Sequence, residues 1–176
     1  AAALGGHAAC IRRLVTAAPA AAVTPDQRSG RPLHLAAAEG HEAAVLCLLE
    51  LAPQAVALQS NSGRTALHLA SAMGHAACIR QLHAAAPAAA LAGDQGGVRP
   101  LHLAAAEGHE AAVRCLLELA PQAALATMQG GRTPLSLALG QQRMAAARAL
   151  LGFPPAAEAL PGLVAAGEPA LPLFAD

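Results

Sequence analysis

Leu67-His68-Leu69-Ala70 decides the fold, because the phrase returns every 34 residues: as Leu33-His34-Leu35-Ala36, as Leu101-His102-Leu103-Ala104 and, degraded, as Leu135-Ser136-Leu137-Ala138. Self-similarity at such a period marks a stacked repeat protein, in which each unit buries its apolar face against its neighbours. One period before Gly40-His41 stands Gly6-His7, so the chain is expected to open partway through a unit. A stack presents surface, and binding is therefore expected ahead of catalysis.

Residues 30–55 carry the physics of every unit. Pro32 suits a first helical position, where its fixed φ and missing N–H do no harm. Leu33, Ala36 and Ala37 follow at i, i+3 and i+4, which predicts a short helix with one apolar stripe. Gly40 is placed to end it in a left-handed conformation. A second helix is expected from about His41 to Leu51, with Ala44, Val45, Leu48, Leu49 and Ala52 as its stripe. Pro53 should stop that helix, and a loop through Gln59 should lead to the turn residues Ser60, Asn61, Ser62 and Gly63. Helices this short are not stable alone, so each pair must bury its stripe against the next.

Composition agrees with close-packed helices: 55% of the residues are apolar, the excess is alanine, and Phe153 and Phe174 are the sole aromatics besides histidine. Arginine supplies all 11 basic charges against 11 acidic ones, and this balance provides no field for nucleic acid or an anionic membrane. No stretch of 18 or more apolar residues lacks a charge or proline, so no segment is expected to insert into a membrane. Cys10 recurs as Cys78 and Cys47 as Cys115, in each case two units later. Helices stack about 8–10 Å apart, placing such pairs roughly 20 Å apart, far beyond the roughly 7 Å Cα limit for a disulfide. Reduced, small, buried or half-buried side chains are expected, and with them an intracellular, cytoplasmic setting.

The repeated residues resemble the ankyrin repeat, a Gly-turn followed by T-P-L-H-x-A-A-x-x-G-H and a helix with V-x-x-L-L. The match is carried by Gly63-Arg64-Thr65-Ala66-Leu67-His68-Leu69-Ala70 with Gly74-His75, and by Arg31-Pro32-Leu33-His34-Leu35-Ala36-Ala37 with Gly40-His41 and Val45-Leu48-Leu49. It covers about residues 1–151. The resemblance implies an all-α repeat solenoid of stacked helix-turn-helix units with an L-shaped cross-section, and β-hairpin-like fingers beside a concave face of first helices, where partners dock. It also implies that His34, His68 and His102 hydrogen-bond the adjacent turn. The expected organisation is a repeat domain over 1–152, with a partial unit 1–26 and units of about 27–60, 61–94, 95–128 and 129–152, and then a Pro-rich tail over 153–176.

Departures from the pattern are informative. Thr65 and Thr133 stand at helix N-caps, but Arg31 and Arg99 replace threonine in the other units, where a lost cap costs on the order of 1 kcal/mol. In the last unit Ser136 replaces the histidine and Gly140-Gln141-Gln142-Arg143 replaces x-x-Gly-His, as in a terminal cap. Above the 34-residue period lies a second one: residues 31–55 and 99–123 differ only at Leu46 against Arg114, and His7–Leu14 matches His75–Leu82 except at Arg13 against Gln81. The copying unit is a 68-residue pair.

Catalytic signatures fail one by one. His41-Glu42-Ala43-Ala44-Val45 begins like a zinc-protease helix, but Val45 stands where the second histidine must be. His34, His68 and His102 are one unit apart, roughly 10 Å, while zinc needs its nitrogens about 2 Å away. Without lysine there is no P-loop, and no serine sits in a nucleophile elbow. Neither cofactor nor metal is expected, and the chain is read as no enzyme.

Symmetry breaks instead at the surface. The finger tips read Gln27-Arg28, Asn61-Ser62, Gln95-Gly96 and Gln129-Gly130, followed by Gly30, Arg64, Val98 and Arg132. The first helices end at Ala38-Glu39, Ala72-Met73, Ala106-Glu107 and Gly140-Gln141. This mildly polar strip, with Arg64, Met73 and Arg132 as its anchors, is the candidate site for a protein partner. The tail beyond Phe153-Pro154-Pro155, with Leu160, Leu163, Val164, Leu171, Leu173 and Phe174, is expected to cap the stack or to serve as a binding motif. The leading expectation is a monomeric scaffold or adaptor; the rival is a regulatory or targeting segment of a larger enzyme or membrane protein.

Overall fold

The computed structural model describes residues 8–25 and 30–153. Among these the elements are α1 (Ala8–Ala17), α2 (Pro32–Ala38), α3 (Glu42–Leu51), α4 (Ala66–Ala72), α5 (Ala76–Ala85), α6 (Pro100–Glu107), α7 (Glu110–Leu119), α8 (Pro134–Gly140) and α9 (Met144–Leu151). They form two parallel rows. The first helices α2, α4, α6 and α8 pack each on the next, as do the second helices α1, α3, α5, α7 and α9, and each first helix also packs on its own second helix. No described helix is long and apolar enough to cross a membrane.

The 34-residue phrase is what makes the rows regular. Leu33, Leu67, Leu101 and Leu135 are all at most 2% exposed, and Ala36, Ala70, Ala104 and Ala138 are fully buried between neighbouring first helices. A buried leucine contributes about 1.5–3 kcal/mol, while alanine at the contact lets backbones approach. Val45, Ile79 and Val113 do the same work between second helices, and one apolar cluster runs from Ile11 to Leu150.

Two details differ from expectation. After α1, α3, α5 and α7 the chain makes a 3-10 turn instead of a plain loop, as at Pro53–Ala57 and Pro121–Leu125, because Ala55, Val56, Ala123 and Ala124 are apolar and fold back onto the core. The fingers form no strands among the described residues. Each is a tight turn closed by two backbone bonds, one from the N–H of Ser60, Asp94 or Met128 to the carbonyl of Arg64, Val98 or Arg132, the other from the N–H of Gly63, Gly97 or Gly131 back to the carbonyl of Ser60, Asp94 or Met128. Neighbouring fingers are joined by Gln95 N–H to the Ser62 carbonyl (3.2 Å) and Gln129 N–H to the Gly96 carbonyl (2.9 Å).

The caps follow the sequence in part. Thr133 Oγ1 accepts the Ser136 N–H at 3.1 Å, whereas the Thr65 hydroxyl lies 2.9 Å from His68 Nδ1 instead, and Arg31 and Arg99 make no side-chain cap. Those arginines are used elsewhere. Arg31 donates to the Gln59 carbonyl, and Arg99 donates to the carbonyls of Leu91 and Thr127, so a tie to the following loop stands where the cap would be. All four cysteines are free thiols, buried at Cys47, Cys78 and Cys115 and exposed at Cys10. Burial pushes the Cys78 thiol up to about 11.

Candidate interaction surface

A histidine network sets the finger positions. His68 Nδ1 accepts the Thr65 N–H at 3.2 Å, which leaves the proton on Nε2 to donate to the Val98 carbonyl of the next finger at 3.0 Å. This tautomer is assigned from the hydrogen-bond partners. His102 repeats the arrangement between the Arg99 N–H and the Arg132 carbonyl, and His34 Nε2 lies 3.0 Å from the Arg64 carbonyl. Burial lowers the pKa of His68 and His102 below the ordinary 6.5, against the opposing pull of those carbonyls. The histidines are structural, as the resemblance implies.

A second histidine series holds the first helices. His75 Nε2 bonds the Ala38 carbonyl at 3.0 Å and His109 Nε2 the Ala72 carbonyl at 2.9 Å, each reaching back one unit. In the last unit Arg143 takes the same place, its Nε donating to the Ala106 carbonyl at 3.1 Å. The replacement of histidine there thus preserves the backward tie.

On this frame the strip residues divide into two kinds. Glu39, Met73, Glu107 and Gln141 lie exposed at the ends of the first helices, and Met73 is 56% exposed despite its apolar side chain. Asn61, Gln95, Gln129 and Arg132 are exposed in the fingers. Arg64 and Val98 are half-buried and engaged: Arg64 Nε pairs with Asp94 Oδ2 at 3.1 Å, and the Val98 carbonyl accepts His68. Gln27 and Arg28 lie outside the described residues.

Two features of the fingers escaped the sequence reading. Gln95 Nε2 donates to the Asn61 carbonyl (2.8 Å) and Gln129 Nε2 to the Gln95 carbonyl (3.1 Å), which adds side-chain rungs to the backbone links between fingers. Asp94 organises its own finger, with Oδ1 accepting the N–H groups of Gly96 (2.9 Å) and Val98 (3.0 Å) while Oδ2 holds Arg64. Partial burial opposes its charge, but the Arg64 guanidinium and the two N–H groups outweigh that and hold the carboxyl below its ordinary 3.8. The signal was an Asp two residues before a glycine, a pattern that favours an Asx turn.

The described residues contain no group of three or more His, Cys, Asp or Glu side chains able to hold a metal ion. An open cleft between α7 and α9 is lined by Leu117, Ala149 and Phe153 together with the charged Arg114, Glu118 and Arg148. The tail suggested as a cap or binding motif lies outside the described residues.

Paired antiparallel helices, stacked in register with projecting turns and two histidine series, define a helix-turn-helix repeat solenoid. The family description "Ankyrin repeats (3 copies)" matches residues 1–88, and "Ankyrin repeat" matches residues 96–124. The chain belongs to the ankyrin repeat family. Comparison with curated proteins finds no match. Ankyrin repeats are in general protein–protein interaction modules and are typically non-catalytic.

Proposed function

We propose that this chain is a non-catalytic adaptor that binds another protein along its finger tips and the ends of its first helices. The observation that carries the reading is the contrast between an interior that repeats every 34 residues and an exposed strip that does not. The buried Leu is the same in all four units and the buried His in three of them, while the exposed strip reads Glu39, Met73, Glu107 and Gln141 from unit to unit. Hydrogen-bonded fingers hold that strip rigid, which reduces the ordering cost of binding.

The strip also suggests what it takes. Glu39 and Glu107 flank Met73 at one-unit spacing, about 8–10 Å, or roughly three residues of an extended chain. A segment with one apolar side chain between two basic ones fits it. No described cluster supports metal chemistry, and the balanced charge offers nucleic acid nothing. A regulatory segment of a larger polypeptide is the second reading, favoured by the exposed Leu14 on α1.

The test compares partners cross-linked in source cells to the wild-type chain, to Met73→Glu with Arg132→Glu, and to Leu46→Glu with Arg114→Glu on the second-helix side. All four positions are exposed, so each pair should change stability by less than about 1 kcal/mol. Arg64 is left intact because it is tied to Asp94. Loss of a partner with the first pair only supports the strip; loss with the second pair only moves the site to the outer helices.

A further inference from the structure

The second helices carry one outward column in register: Arg12, Leu46, Arg80, Arg114 and Arg148, each 34 residues from the next and all exposed. Three of these arginines are engaged by described residues. Arg12 pairs with Glu50 at 2.9 Å, Arg80 donates to Cys115 Sγ at 3.6 Å, and Arg114 pairs with Glu110, four residues before it on its own helix. Arg148 has no ion-pair partner among the described residues. The sequence explains the difference, since Met144 stands one unit after Glu110 and carries no charge. Beside this arginine the last unit is trimmed. Ala149 stands where Cys47 and Cys115 donate their thiols to the carbonyls of Ala8 and Ala76, and Gly152 stands where Glu50 and Glu118 stand. The small residues leave the cleft between α7 and α9, with a volume of about 300 Å³ and Leu117, Ala149 and Phe153 as its apolar lining. That is room for a few aliphatic side chains and not for a folded element.

The chain itself leaves from this cleft. Half-buried Phe153 lines it, and the sequence continues Pro154-Pro155-Ala156-Ala157-Glu158-Ala159-Leu160-Pro161-Gly162-Leu163-Val164. Arg148 precedes Phe153 by five helical residues, about 8 Å along the axis, and five extended residues after Phe153 span up to about 16 Å. Glu158 is therefore within reach of Arg148. Charge is partitioned to match. All 11 arginines lie at or before Arg148, whereas of the 11 acids Glu158, Glu168 and Asp176 fall in residues 154–176, which hold no base. Glu118 also lines the cleft, but Arg114 and Arg148 outnumber it. One carboxylate followed by Leu160, Leu163 and Val164 is the complement of a guanidinium beside Leu117 and Phe153.

We propose that the cleft between α7 and α9 takes this chain's own segment 156–164, with Glu158 paired to Arg148 and Leu160, Leu163 and Val164 laid against Leu117 and Phe153. The segment is an internal ligand of the second-helix side, while the strip of Glu39, Met73 and Glu107 belongs to the first helices. A partner segment of the same chemistry, an acid followed by aliphatic side chains, reaches Arg148 only by displacing it, against an effective concentration of about 1 mM for a short tether.

The chain contains no Trp or Tyr, so Leu163→Trp in the 176-residue protein introduces the sole indole. An intrinsic dissociation constant near the effective concentration leaves about half of the molecules docked, so acrylamide quenching should be about twofold weaker than in a synthetic 154–176 peptide with the same substitution. Emission should shift to the blue. Arg148→Glu, at an exposed position, is expected to lower the docking equilibrium by about two- to fivefold. Adding Glu158→Arg should restore the protection, a rescue that damage to α9 would not show. Quenching equal to that of the peptide overturns the proposal. So does protection that survives Arg148→Glu, which would seat the segment elsewhere, or a loss that the charge swap leaves unrestored. Protection that rises with protein concentration also overturns it, since the segment of a second copy would then fill the cleft.

Discussion

The ring of His75 occupies the space that a side chain on Gly40 would fill: a Cβ at Gly40 would lie 2.5 Å from His75 Nδ1. The glycine is therefore required twice, for its φ of +74° and for the ring that covers it. Gly74 and His109 repeat the relationship at 2.7 Å. Gly74→Ala is expected to cost about 1–2 kcal/mol in backbone strain, plus about 0.5–1.5 kcal/mol if His109 loses its bond to Ala72. Gln142 has the same backbone conformation, so Gln142→Gly should stabilise by about 0.5–1 kcal/mol. Urea unfolding midpoints of the two variants check both signs, and a stabilising Gly74→Ala would mean the ring does not sit there.

Stability should depend on pH through the buried histidines. His68 and His102 have folded pKa values lowered from 6.5, chiefly by burial. The unfolded chain therefore binds protons that the folded one refuses, and stability falls as pH drops from 6.5 toward the lowered values. Above that window these two groups contribute no pH dependence. A series of urea titrations should show the decline, and its slope should shrink in a His68→Gln, His102→Gln variant. A slope that survives both substitutions would assign the effect to other groups.

The repeat period made the helices legible, because Leu67 and its copies are apolar at positions that every unit must bury. The finger chemistry was only half legible. His68 was readable as a structural group through the family resemblance, but the roles of Arg31 and Arg99 were not, since an arginine at an N-cap position looks like a defect until its guanidinium is seen on the next loop. Gln95 and Gln129 read only as finger-tip residues for a partner, and their ties between fingers went unread because the acceptors are backbone carbonyls one unit away, which no sequence pattern marks. Arg143 looked like a lost histidine, although its Nε makes the same bond. The Pro53 turn was hidden for a simpler reason: five residues are too few to show a helical period.

Asp94 should matter more than its place in a surface turn suggests. Its carboxylate accepts two backbone N–H groups and one guanidinium N–H. Hydrogen bonds to a charged group contribute about 1.5–3 kcal/mol in total effect when buried, and part of the Arg64 contribution is lost to solvent because that side chain is 37% exposed. Asp94→Ala is accordingly expected to destabilise by about 1–2 kcal/mol. The depressed pKa adds a second signature: this stabilisation is complete above pH 3.8 and is lost as pH falls through the lower folded value. Wild type and Asp94→Ala should converge in acid; a constant gap down to pH 2 would place the effect in turn geometry rather than charge.

Leu14 and Leu82 provide an internal comparison, since they occupy one register position in nearly identical sequence. Leu82 is fully buried between units, whereas Leu14 is 55% exposed. Burial, not residue type, should set the cost of truncation. Leu82→Ala is expected to destabilise by about 2–5 kcal/mol, with the spread depending on how far the neighbouring units can close on the cavity. Leu14→Ala should cost less than about 1 kcal/mol, because the removed atoms were already half in water. Partial unfolding of the first unit at low urea would blur the Leu14 value, so amide hydrogen exchange across α3 and α5 should accompany the melts. Equal costs at the two positions would mean that something already covers Leu14 in solution, and the amino-terminal face would then be closed rather than open.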